Sequence, residues 1–124
     1  MIFFVIHKNT QIFGIDISKD VFDVCDFDGK NHQFKNTLLG FKKFKKLLVV
    51  DSHCVMEATG YYHHQLAYYL LDQGVKVSVV NPLKIKRFGQ MKLSKIKTDK
   101  SDSKLIQDYG KQMNPRQWFG DSKK

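Results

Sequence analysis

Gln11-Ile12-Phe13-Gly14-Ile15-Asp16-Ile17-Ser18-Lys19-Asp20-Val21-Phe22-Asp23-Val24-Cys25-Asp26-Phe27-Asp28-Gly29 is the stretch whose reading decides the architecture. Gln11 to Ile17 predicts a strand. Val21 to Phe27 places Val, Phe, Val and Cys in alternation and predicts a second. Asp28-Gly29 is a hairpin signal into a third, around His32 to Thr37, so the chain opens with an antiparallel meander. Working outward, Phe41, Phe44, Leu47 and Leu48 recur at helical spacing with Lys42, Lys43, Lys45 and Lys46 opposite. His53 to Glu57 lacks alternation, as a central strand covered on both faces would. Tyr61 to Gln73 predicts a helix with Leu66, Tyr69 and Leu70 on its apolar face and Gly74 as its cap. Val75 to Val80 is another buried strand, stopped by Asn81-Pro82. A short basic helix is expected after Pro82, and a last helix from about Lys100 to Gln112.

Three antiparallel strands followed by β-α crossovers describe a ribonuclease-H-like (RuvC-like) α/β fold, a mixed sheet with helices on both faces. The 124 residues fit one domain. The expected division is an N-terminal extension over 1–10, the domain over 11–112 and a tail or linker over 113–124, with Trp118-Phe119 docking back. The six apolar residues Met1 to Ile6 are too short for a membrane span and lack the basic start and cleavage site of a signal peptide. Cys25 and Cys54 are far apart in apolar runs and read as reduced core residues of a cytoplasmic protein, not as zinc ligands.

Charge narrows the function. The formal net charge is +9, and from Gln73 to Thr98 no acid occurs. Lys84, Lys86, Arg87, Lys92, Lys95 and Lys97 fall in that window. A one-signed stretch attracts a polyanion, and this one leads straight to Asp99 and Asp102. Charge alone also fits a solvated helix face.

Glu57, the single glutamate, ends an apolar strand, and Asp16 ends another. An unpaired buried carboxylate is expensive, so a carboxylate in such a place usually has a cation waiting. In the expected fold the two strands are central neighbours, and Asp99 and Asp102 share one face of a helix start. Four converging acids repel unless neutralised, which two magnesium ions about 3.5–4 Å apart do while clamping a phosphoryl transfer. Taken singly, Asp99 and Asp102 also fit an N-cap with an acid in the first turn, and Asp16 also fits a turn with Ser18. Glu57 resists a bland account, because Ala-Thr-Gly follows it. His53, His63 and His64 lack partners at ligand spacing, and His63-His64 reads as surface or DNA-facing. Tyr61, Tyr62, Tyr68 and Tyr69 read as core and rim.

Four segments carry a resemblance: Gly14-Ile15-Asp16-Ile17-Ser18-Lys19, Met56-Glu57-Ala58-Thr59-Gly60-Tyr61-Tyr62, Val79-Val80-Asn81-Pro82, and Lys97-Thr98-Asp99-Lys100-Ser101-Asp102. In this order, covering about Phe13 to Gly120, they resemble the N-terminal domain of DEDD-type insertion-sequence transposases, the insertion sequence 110 family. Glu-Ala-Thr-Gly followed by Lys-Thr-Asp-x-x-Asp is specific, whereas Gly-Ile-Asp alone is weak. The resemblance implies that Asp16, Glu57, Asp99 and Asp102 are catalytic and bind magnesium, with manganese substituting. It implies DNA as partner, together with a guiding bridge RNA, a homo-oligomer or a C-terminal domain carrying a nucleophilic serine.

The chain stops before such a domain, so the expectation is an excised domain or a truncated copy. Ser101 and Ser103 are not that serine, and Ser103 stands where the family usually has alanine. Two other functions compete with a transposase domain that is incomplete alone. One is a stand-alone nuclease resembling Holliday-junction resolvases, which would cleave branched DNA. The other is a non-catalytic nucleic-acid-binding remnant, which would bind without cleaving.

Overall fold

The computed structural model describes residues 10–93 and 102–121. Its elements are β1 (Gln11–Ile17), β2 (Val21–Cys25), β3 (Asn31–Lys35), α1 (Leu38–Lys45), β4 (Ser52–Glu57), α2 (His64–Asp72), β5 (Lys76–Val80), α3 (Pro82–Leu93) and α4 (Asp102–Met113). The strands form one sheet in the order β3-β2-β1-β4-β5. β1 pairs antiparallel with β2, and β2 with β3. β4 pairs parallel with β1 and with β5. The fold is therefore the mixed α/β, ribonuclease-H-like arrangement that the meander and crossovers predict.

Element ends shift where side chains capture backbone groups. β2 stops at Cys25, not Phe27, because the Asp26 carboxylate accepts from the amides of Asp28 and Lys30, both at 2.9 Å. Gly29, at φ +87, completes that turn. β3 ends at Lys35, and Thr37 instead caps α1, its hydroxyl accepting from the Gly40 amide at 3.2 Å. α2 begins at His64, because Tyr61 to His63 are held in successive turns, Tyr62 N–H to Thr59 O at 3.1 Å and His64 N–H to Tyr61 O at 3.2 Å. α3 is not short. It runs 12 residues, started by Asn81, whose side-chain oxygen accepts from the Leu83 amide at 2.8 Å, and held down by buried Ile85 and Phe88.

The sheet has a core on each face. α1 and α2 cover one, where Phe41, Phe44, Leu66 and Leu70 meet Phe13, Ile15, Phe22, Val24 and Met56. Phe22 stacks on Phe34 at 5.4 Å and meets Phe44 edge-on at 5.6 Å, so truncating Phe22 to Ala should cost about 3–5 kcal/mol. α3 and α4 cover the other face, with Ile85, Phe88, Ile106 and Tyr109 against Val55 and Val80. Cys25 and Cys54 are buried free thiols. The last described residues fold back: Trp118 donates its amide to Val77 O at 2.7 Å and its ring meets Tyr68 at 4.9 Å, while Phe119 stays exposed. No helix among the described residues is long and apolar enough to cross a membrane.

Candidate active site

Strand alternation fixes where the acids point. Ile12, Gly14 and Asp16 of β1 face α4, while Phe13, Ile15 and Ile17 enter the opposite core. In β4, Val55 faces α4, and so by the same alternation does Glu57. The register between these parallel strands runs to the pair Ile15 and Met56, so Asp16 and Glu57 leave the sheet one step further on, at the same edge. Asp23 sits directly opposite Asp16 in the β1–β2 register, where its carboxylate accepts from Gln33 Nε2 at 2.9 Å. Asp102 opens α4 above this edge. Asp16, Asp23, Gln33, Asp102 and Ser103 contribute to the wall of a cleft of about 320 Å³.

These carboxylates feel one another. Burial first, then Asp102, then Asp23 raise the Asp16 pKa from 3.8 to about 6. Glu57 is also raised, by burial first and then by Asp16 and Asp102. Three acids distant in sequence thus share one electrostatic site, and hard oxygen donors whose charge is disfavoured suit a divalent cation. Among the described residues, no group of three His, Cys, Asp or Glu is close enough to hold a metal ion unaided. Asp99, the fourth expected member, lies outside the described residues.

What brings α4 to the site was not visible as a motif. A Cβ on Gly14 would run into the Ser103 carbonyl and the Gln107 backbone, so only glycine lets the helix lie this close. Gly110 repeats the device from the helix side, against Val55 and Ile12. Gln107, fully buried, donates through Nε2 to the carbonyls of Ile12 (3.0 Å) and Asp26 and accepts from Cys25 Sγ at 3.2 Å. Ser103 is buried and donates to Asn31 Oδ1 at 3.1 Å, so its hydroxyl is accommodated. Asp23 was missed as well. The pairing of β1 with β2 was legible in the sequence, but the register that sets Asp23 opposite Asp16 was not.

The cations leave from the same edge. α3 starts just after β5, whose Val80 pairs with Glu57. Lys84, Lys86 and Arg87 are exposed on it, whereas Lys92 Nζ lies 5.5 Å over the Phe88 ring and is half-buried. Lys95 and Lys97 lie outside the described residues. His63 departs from its expected surface position: it is buried at the head of α2, where burial lowers its pKa. His53 is also buried, Nε2 lying 2.7 Å from Ser78 Oγ, which donates in turn to Arg116 O at 2.7 Å. A larger hollow between α1 and α2, lined by Leu38, Phe41, Tyr68 and Leu71, lies on the other face from the acids.

The pilin gene-inverting proteins of Moraxella bovis and Moraxella lacunata are each 35% identical to the chain over 114 residues, covering 85% of it. The chain spans only 35% of the length of these relatives. The model of the DEDD transposase family of the insertion sequence 110 type, described as "Transposase", matches residues 13–123. With the match covering nearly all of the sheet and every described helix, the chain belongs to the insertion sequence 110 family of DEDD transposases.

Proposed function

We propose that this domain performs the metal-dependent phosphodiester step of DNA transposition or recombination. The observation that carries the reading is the gathering of Asp16, Glu57 and Asp102 at one sheet edge, where burial first and then the neighbouring acids raise the Asp16 pKa to about 6. Asp16, Glu57, Asp99 and Asp102 would hold magnesium, with manganese as substitute. When bound, the metal supplies charge neutralisation and Lewis-acid polarisation of the scissile phosphate. The chain's own residues do the rest. Gly14 and Gln107 seat α4 so that Asp102 meets Asp16. Lys84, Lys86, Arg87, Lys92, Lys95 and Lys97 would take up phosphates and orient the strand. DNA is the substrate in this reading. A serine-bearing C-terminal domain and a guide RNA, as the family resemblance implies, would complete recombination. The site and its cation would then act in the cytoplasm, on DNA.

The test is the metal-dependent rise in melting temperature. Neutralising the mutual repulsion of the acids should stabilise the fold as magnesium or manganese is added. Glu57→Gln should abolish that increment while leaving a folded protein. An unchanged increment would remove Glu57 from the site, and no increment in the wild type would remove the metal.

A further inference from the structure

The segment leaving Glu57 is built like a platform. Gly60 takes φ +54, a conformation that lets the chain turn sharply away from β4. The turn is then fastened from three sides. Ala58 donates its amide to Val80 O at 2.9 Å, and Thr59 donates its hydroxyl to Glu57 O at 3.3 Å. Asn36 Nδ2 donates to Tyr62 O and to Ser18 O, both at 3.1 Å, tying the segment to the β1–β2 turn. A segment so held would ordinarily bury its aromatic residues. Instead Tyr61 is 83% exposed and Tyr62 45% exposed. The Tyr61 ring has His64 beside it at 5.9 Å.

Its position tells what the aromatic surface meets. Ser18 follows the strand bearing Asp16, and Tyr61 follows the strand bearing Glu57, so both segments leave the sheet at the end that carries the acids. The cationic helix α3 leaves from that same edge. A firmly held, exposed aromatic at the same end of the sheet as cations and a carboxylate cluster suits a ligand with both phosphates and flat π-faces. Duplex DNA hides its bases in the stack, so the ligand has to be unpaired.

We infer that Tyr61, supported by Tyr62, is a stacking site for an unpaired base of the DNA strand held at the acidic edge. This rests on the DNA reading above and deepens it: the site would act on a locally opened strand. The aromatic face supplies affinity for a base without reading which base it is, while the carboxylates stay with the phosphate.

The experiment measures binding by fluorescence anisotropy in calcium, using a dT12 oligonucleotide, an abasic oligonucleotide of equal length and a duplex. Tyr61→Ala should weaken dT12 binding by roughly 5- to 150-fold, the range for loss of one base–aromatic stack, and Tyr61→Trp should retain it. Abasic and duplex binding, driven by phosphates, should be unchanged by either substitution. Because Tyr61 is exposed, both variants should melt with the wild type. Equal affinity of Tyr61→Ala and wild type for dT12, with salt-dependent binding intact, would overturn the stacking site alone. Absence of binding to all three probes would overturn it together with the DNA reading.

Discussion

Replacing Asp16 by Asn should make the metal-free protein more stable at neutral pH while destroying its response to metal. The folded state holds the Asp16 pKa at about 6 against an ordinary 3.8, so the ionised carboxylate is disfavoured there. For an acid raised in this way, folding is favoured most below pH 3.8, and that advantage is lost as the pH rises from 3.8 through about 6. At about 1.4 kcal/mol per tenfold change, the ionised group costs at most about 3 kcal/mol above pH 6. Asp16 is partly open to solvent, which screens it, and about 1–2 kcal/mol is the realistic figure. Asparagine keeps the shape and removes the charge, so the melting temperature at pH 7.5 should rise by several degrees, at about 3–6 °C per kcal/mol for a domain of this size. Below pH 4 wild type and variant should converge. With magnesium present the order should reverse, because the wild type gains and the variant does not. The assay is scanning calorimetry from pH 4 to 8 with and without magnesium. A variant less stable than wild type at pH 7.5 without metal would refute the claim that burial and the neighbouring acids disfavour the ionised Asp16.

Three further outcomes are expected. Gly14→Ala should cost about 1–3 kcal/mol by pushing the Ser103 and Gln107 backbone off β1, and should weaken the metal response through displacement of Asp102, read by the same calorimetry. Changing Lys84, Lys86 and Arg87 together to Ala should flatten the dependence of log affinity on log salt by up to about three units, and a slope indifferent to the change would move the phosphate contacts elsewhere. His53 is held neutral, its pKa lowered from 6.5 to about 4 by burial and then by Lys76. Its contribution is therefore fully present above pH 6.5 and is lost as the pH falls towards 4, so His53→Gln should flatten the acid limb of the stability profile measured by urea unfolding.

The order of the elements made the fold legible. A meander followed by β-α crossovers makes the strands bearing Asp16 and Glu57 neighbours, and β1 and β4 are. β1 was bounded to the residue, because nothing in Gln11 to Ile17 competes for its backbone. Ends were misread where polar side chains intervene, at Asp26 and at Thr37, since such captures depend on the local turn already existing. Of the expected acids, Asp16, Glu57 and Asp102 are drawn to one edge, whereas the residues that support them were not legible. Gly14 and Gln107 are unremarkable letters until a helix lies on a strand, and Asp23 becomes a neighbour of Asp16 only once the register is known. His63 escaped because its neighbour His64 is partly exposed, and a pair of like residues does not say which one turns inward.

The seating of α4 also governs when the site exists. Gln107 reaches the Ile12 carbonyl across 95 positions of chain, so the contact that aligns Asp102 with Asp16 is among the last the domain can make as it is synthesised. Until α4 docks, Asp16 and Glu57 stand at an open sheet edge without their third carboxylate. A half-made chain therefore carries Asp16 and Glu57 without the helix that brings Asp102 to them.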